Sequence, residues 1–360
     1  MSAEFALNGL SEIKSRIERA VERILSATRL IEVVEDWRRL GVVVSSSAAE
    51  RRAGIIAVAY RTASLLLEKR GSDVRVKILR SGEPLAYIGL SSSWYEDRRL
   101  FISAAASSLA AAKMLRNSEI EALVILNEAF PPRISLGRIP SFDFLKACSE
   151  LTESLYSAGL QELAFRGIKA VSSEVRLSLG FRLPLNVLVY LGELCLMLAS
   201  LSELEVAASE AGVSTAWLTK SGSSLSRTLN LEGWVTDECL LEYAWRELDR
   251  AALYFKESSE VEEYLRQASR RTPLLVARKS WYYKLGRRGR VGVLVQSPLV
   301  SASEGLYVLG MLASISDRHG RLTALERASS MVKVSREMAV EVLRRMSRVA
   351  WDSTLRLLLA

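Results

Sequence analysis

Apolar positions along the chain change period several times. Leu10, Ile13, Ile17, Ile24 and Ile31 recur at helical spacing, with Lys14, Arg16, Glu18, Arg19 and Glu22 between them. They predict a long amphipathic helix over Leu10–Arg39. In "LGVVVSSSAAERR" three valines predict a buried strand over Gly41–Ser45, stopping in Ser45, Ser46 and Ser47 before a basic, helix-like segment. Gly54–Leu67 is apolar with β-branched and aromatic residues and predicts a second strand. Val74–Leu79 alternates strictly and predicts a half-exposed third strand. Gly71 before it and Ser81-Gly82-Glu83-Pro84 after it supply turns. An alanine-rich helix follows over Leu100–Leu115, then a short, fully apolar strand over Leu123–Leu126 of the kind found in a sheet's centre. Pro131 and Pro132 close that unit.

The second half predicts a helix over Phe142–Leu163 and a buried helix over Leu183–Leu201. The latter approaches membrane-span length but carries Asn186 and Glu193, so no membrane association is expected. Cys239–Lys256 reads as helix. Ser280–Leu285 and Val291–Gln296 form a hairpin around "GRRGR", and the chain is helical from Leu306 onward, broken at "DRHGR". Ser202–Val235 supports two readings. "STAWLT" (Ser214–Thr219) is either a strand before a basic serine loop or part of a winged helix-turn-helix. Three meandering strands followed by a strand reached through a helix give a mixed α/β sheet. This is the ribonuclease-H-like order, with helices on both faces of the sheet, a long N-terminal helix and C-terminal helices. Residues 1–40 then form a helical arm, and residues 41–360 a single body with a mostly helical insertion at about 141–212.

Composition adds less. Lys and Arg exceed Asp and Glu by 49 to 41, a mild basic excess that favours a polyanionic partner. Gln occurs three times, Asn five times and His once, which suggests a thermophile. Cys148, Cys195 and Cys239 show no pairing pattern, so reduced cysteines, a cytoplasmic location and no cysteine metal site are expected. No signal peptide is expected either. His319, in "SDRHGR", has no acid or cysteine cluster near it in sequence and reads as a surface cap. Nucleotide-binding and hydrolase motifs are absent, so ATPase, dinucleotide and triad chemistry have no support.

The order of segments resembles the NurA nucleases, archaeal DNA-end-processing enzymes that work with the hexameric HerA translocase. The resemblance spans most of the chain and rests on pattern rather than identity. In that family the first strand ends in an Asp-Gly-Ser type sequence, where "VVVSSS" places Ser45. The central strand ends in a second, where "LVILNEAF" places Asn127, Glu128 and Ala129. A helix about twenty residues before that strand end usually supplies a Glu, and the matching stretch "SAAASSLAAA" has none. A strand leading to a Lys-Ser/Thr-rich loop and a following Asp is matched by "AWLTKSGSSLSR" (Lys220, Ser221, Ser224) and Asp237. The family's C-terminal histidine falls in "ERASSMVKVSREMA", which offers Ser329 or Arg327.

The resemblance therefore implies the scaffold with its metal ligands replaced. Two-metal hydrolysis needs clustered carboxylates, since Mg²⁺ and Mn²⁺ prefer hard anionic oxygens. No catalytic residue and no cofactor is then expected; Mn or Mg enters only if Glu128 and Asp237, with Glu50, Glu83 or Asp143, rebuild a site. Separately from the resemblance, basic and aromatic residues interleave in "KSWYYKLGRRGR". Lys279, Tyr282, Tyr283, Lys284, Arg287, Arg288 and Arg290 could hold phosphates and stack bases, as Lys220 and Arg227 could in the serine loop. The alternative is an ordinary hairpin whose aromatics pack inward. The implied partners are DNA, a HerA-type hexameric ATPase or an active NurA paralogue, in a homodimer or heterodimer. Three functions follow: a degenerate, non-cutting DNA-binding subunit, an active nuclease with a relocated metal site, or a winged-helix DNA-binding regulator.

Overall fold

A computed structural model describes residues 3–126, 151–219, 235–256, 279–296 and 302–346, apart from 53, 72, 92, 181, 287, 288 and 318, together with positions 144, 148, 225, 226, 229 and 231. Among these residues ten strands join in one mixed sheet. They are β1 (Arg29–Leu30), β2 (Arg39–Arg52), β3 (Ile55–Arg70), β4 (Asp73–Ser81), β5 (Leu85–Leu90), β6 (Ala122–Leu126), β7 (Ser214–Thr219), β8 (Ala251–Lys256), β9 (Lys279–Leu285) and β10 (Gly292–Gln296). The order across the sheet is β1-β8-β9-β10-β7-β6-β2-β3-β4, with β5 also on β3.

The centre is parallel. Val42–Val44 of β2 pair with Val124–Leu126 of β6, and Ile125 of β6 pairs with Trp217 of β7. These strands are apolar on both faces because helices cover both. One face carries α2 (Tyr95–Asn117), α3 (Leu160–Leu179) and α4 (Leu185–Ala211), which bury Val43, Ile125 and Trp217. α1 (Ala3–Ala27) packs through Ala20 and Ile24 into the same cluster, beside α5 (Asp237–Ala244). The other face carries α6 (Ala302–Ser314), α7 (Thr323–Met331) and α8 (Arg336–Met346). There Val42, Val44, Val124 and Leu218 meet Leu309, Leu312 and Leu325. The mixed α/β architecture with helices on both faces is thus the expected one. β2 runs antiparallel to β3, β3 antiparallel to β4, and β6 returns parallel to β2 after α2.

Several local expectations are corrected. The N-terminal helix stops at Ala27 rather than Arg39: the Thr28 hydroxyl donates to the Ile24 carbonyl (2.7 Å), and Arg29–Leu30 then pair with β8. The first strand continues through the serines to Arg52, because β3 pairs with it along its whole length. No single helix spans Phe142–Leu163, since Thr152–Ser154 is a short 3-10 turn and α3 starts after Gly159. The helix over Cys239–Lys256 ends at Ala244, and Ala251–Lys256 is β8, held between β1 and β9. Ser214–Thr219 is an interior strand flanked by β6 and β10. That removes the winged-helix reading, which needs a helix there. Cys148 and Cys195 are joined in a disulfide, against the expectation of reduced thiols, while Cys239 is free and exposed. α4, long and apolar enough to cross a bilayer, is mostly buried inside the fold.

Candidate functional site

The serine triplet of β2 finds partners on both faces of the sheet, as strand alternation requires. Val44 pairs with Leu126, so Ser45 sits one step beyond the described end of β6. Its side chain turns to α2, where the Ser45 and Ser107 oxygens lie 2.7 Å apart. Ser107 Oγ also lies 2.8 Å from the Ser103 carbonyl. Each hydroxyl has one proton: Ser107 donates to Ser45, sharing its proton with the Ser103 carbonyl, and Ser45 Oγ lies 3.5 Å from its own acceptor, the Leu126 carbonyl. Ser107 is fully buried and Ser45 nearly so. Ser47, on the same face, accepts from Arg99 Nη1 at 3.0 Å. Ser46 points to the opposite face and accepts from the Val334 amide at the approach to α8 (3.3 Å).

Ser107 stands twenty positions before Asn127, in the helix stretch expected to supply a carboxylate. Its pairing with Ser45 was not visible in the sequence, where Ser107 was one polar residue in an alanine-rich run. Neutral hydroxyls offer a hard divalent cation no negative charge, which such an ion prefers in its ligands. Among the described residues no group of three His, Cys, Asp or Glu could hold a metal ion. Asn127, Glu128 and Asp143 lie outside the described residues. The described part of the site therefore does not fit a two-metal centre.

Asp237 is committed elsewhere. It opens α5, is fully buried, and accepts from the amides of Leu225 (3.0 Å) and Ser226 (2.7 Å) and from the Tyr282 hydroxyl. Its carboxylate thus ties the chain at 225–226 to β9. Glu50, at the far end of β2, pairs with Arg336, whose hydrogen bond holds its carboxyl below the usual range. Glu83 is exposed in the bend between β4 and β5.

On the other face, the ends of β6 and β7 open into a groove of about 550 Å³. Leu126, Leu218 and Tyr283 form its floor, and Arg290 of the hairpin loop, Arg321 of the turn before α7, and Glu326 and Ser329 of α7 line it. Ser329 is exposed here, across the sheet from Ser45. Arg327 is also exposed on α7. His319 is half-buried in the turn closed by Asp317, which accepts from the amides of His319 (2.8 Å) and Arg321 (2.9 Å).

The hairpin expectation divides. β9 and β10 pair as predicted, with Lys279 in register with Gln296. Tyr282 is buried against Asp237, and Lys284 is buried with its ammonium 3.0 Å from the Trp245 carbonyl. A surface role for these two is corrected, because alternation sends both into the core beneath α5. Tyr283 faces the groove half-buried, and burial raises its phenol above the usual range. Arg290 is exposed at the groove. Lys220, Ser221, Ser224, Arg227, Arg287 and Arg288 lie outside the described residues.

Sequence reasoning also missed a charged cluster. Arg98 of α2 and Glu193 of α4 are fully buried and form a bidentate pair, Nε to Oε2 at 2.6 Å and Nη2 to Oε1 at 2.5 Å. Tyr87 of β5 donates to the same carboxylate, and Arg98 Nη1 donates to the Ser91 carbonyl (2.6 Å). Burial, then the Glu193 charge, holds the Tyr87 phenol well above its usual range. The only sequence signal was a glutamate inside an apolar helix.

No protein-family model matches the sequence, and no curated protein does. Solved structures do match. The NurA nuclease from Sulfolobus solfataricus is 13% identical with a TM-score of 0.56, over 97% of this chain and 98% of that one. NurA bound to dAMP and manganese is 13% identical with a TM-score of 0.58, over 96% of each chain. NurA with manganese is 12% identical with a TM-score of 0.56, over 96% of this chain and 98% of that one. The chain has the NurA nuclease fold over nearly its whole length.

Proposed function

We propose that this protein is a catalytically degenerate NurA-like protein that binds DNA without cutting it. In this reading it is a structural or regulatory subunit beside a HerA-type translocase in DNA-end processing and repair. The observation that carries the reading is the buried Ser45–Ser107 hydroxyl pair, which stands where the resemblance expects carboxylates. Solved NurA structures of the same fold are described with manganese and with dAMP, which marks the chemistry this pair does not support. DNA contact is assigned to the basic residues around the groove. Arg290 is joined there by Arg321, and Lys220, Arg227, Lys279, Arg287 and Arg288 extend the same expectation.

The assembly is a homodimer or a heterodimer with an active paralogue. Of the arm expected over residues 1–40, α1 alone is proposed to act as one, because Arg29–Leu30 and Arg39–Leu40 belong to the sheet of the body; the body keeps its insertion at about 141–212. A cytoplasmic location in a thermophile fits the internal disulfide, because intracellular disulfides persist in hyperthermophiles.

The test uses the purified chain with end-labelled single- and double-stranded DNA and Mn²⁺ or Mg²⁺. The expected result is intact DNA together with a salt-sensitive gel shift. Metal-dependent degradation that Glu128→Ala abolishes would establish the relocated-site nuclease instead.

A further inference from the structure

Among the described residues the sheet has one long edge that no strand covers. There β4 is the terminal strand and pairs with β3 alone, so alternate residues along its nine positions turn N–H and C=O groups outward. Its neighbour β5 is treated differently. The Gln161 side chain of α3 accepts from the Ile88 amide and donates to the Ile88 carbonyl, both at 2.8 Å, and so caps that edge as a strand would. Among the described residues no group caps β4 in this way.

The side chains of β4 sort by face. Val74, Val76 and Ile78 lie on the face of Leu65 and Leu67. Val76 is 47% exposed and Ile78 48% exposed. Arg75, Lys77 and Arg80 all lie on the opposite face, across from Glu68, Leu66 and Ser64; the bulge at Ser64/Leu65 keeps Arg80 in that row. All three are exposed, and among the described residues no carboxylate pairs with them. Long edge strands usually carry a guard against pairing. Here the cations guard against one partner in particular. Two copies paired antiparallel with Val76 against Ile78 would place Lys77 against Lys77, a like-charge cross-strand pair.

We propose that the β4 edge is a docking site for an extended segment of a partner protein that alternates acidic and apolar residues. The segment would add as an outer strand. Its backbone would take the open N–H and C=O groups, its carboxylates would meet Arg75, Lys77 and Arg80, and its apolar side chains would cover Val76 and Ile78. A nucleic acid would satisfy the cations but neither the backbone row nor the apolar face.

The probe is a fluorescein-labelled nine-residue peptide of alternating Glu and Val, followed by anisotropy against the full chain. A scrambled peptide of the same composition, an alternating Lys/Val peptide and a nine-nucleotide oligo-dT serve as comparisons. The expected result is saturable, salt-sensitive binding of the Glu/Val peptide alone, with slowed amide exchange across 73–81. Binding weakens roughly tenfold in the Arg75→Glu/Lys77→Glu variant, from two reversed cross-strand pairs. Val76→Lys, on the other face, weakens it independently, and unchanged melting temperatures show that both variants fold. The proposal is overturned if the peptide does not bind or is indifferent to these substitutions. It is also overturned if oligo-dT displaces the peptide from β4, or if the amides of 73–81 are already protected in a self-associated chain.

Discussion

Removing either half of the Arg98–Glu193 pair should be costly, and the two halves should differ. Both groups have no exposed surface, and the Glu193 carboxylate accepts from the guanidinium and from Tyr87. Deleting one member of such a buried pair costs ~3–5 kcal/mol, because the other charge stays desolvated. Glu193→Ala leaves an arginine that cannot give up its proton. It also strips Tyr87 of its acceptor, so it falls at the upper end of that range. Arg98→Met leaves a carboxyl that can take up a proton and keep its bond to Tyr87, so it falls at the lower end. The same proton gives a sign. The folded Arg98→Met variant binds a proton that its unfolded chain does not, so its deficit shrinks as pH is lowered from 7 to 5. The Glu193→Ala deficit does not shrink in this way. The double variant Arg98→Met/Glu193→Leu, with no charge left to desolvate, loses less than the sum of the two single changes. Urea unfolding of the four proteins, with the transition checked by two probes, measures all of this. A single-variant loss within 1 kcal/mol of wild type, or strict additivity in the double variant, would refute the reasoning.

Further outcomes follow from neighbouring contacts. A Cβ on Gly89 would lie 2.2 Å from Arg98 Nη2, so Gly89→Ala should cost ~1–3 kcal/mol by overpacking, read from the same urea curves. Reducing Cys148–Cys195, which closes a loop of sequence separation 47, should lower stability by up to about 4 kcal/mol, and the melting temperature with and without a phosphine reductant reports it. Asp237→Asn, at the knot of Leu225, Ser226 and Tyr282, should cost about 2 kcal/mol in chemical denaturation. The Arg336 hydrogen bond holds the Glu50 carboxyl below 4.5, so its small contribution is present above that pH and is lost as pH falls through the lowered folded value; Glu50→Gln should flatten that acid limb of the stability profile.

How far the sequence carried these conclusions depended on whether one element or two had to be known. Val42–Val44 and Leu123–Leu126 were legible as central strands because a strand buried on both faces must be apolar throughout. The extension of β2 through Ser45–Ser47 was not. A polar triplet in a strand looks like its end unless α2 and the approach to α8 are known to supply partners on either side. "AALYFK" after a helix reads equally as buried helix or strand, and pairing with β1 and β9 decides it. Tyr282 and Lys284 read as a basic-aromatic surface until the register of β9 turned them under α5. Arg98 and Glu193 lie 95 residues apart and the bridged cysteines 47, distances at which no spacing rule applies. Ser45, by contrast, was plain in the sequence as a serine where the resemblance expects an acid. What the structure adds is Ser107 of α2 within hydrogen-bond distance of it.

Calorimetric titration of MnCl₂ into the purified, metal-free chain decides between a non-cutting protein and a nuclease. A non-cutting protein gives no saturable heat beyond dilution, with or without single-stranded DNA present. A stoichiometric binding curve that disappears in Glu128→Ala, accompanied by DNA degradation under the same conditions, would contradict the non-cutting reading.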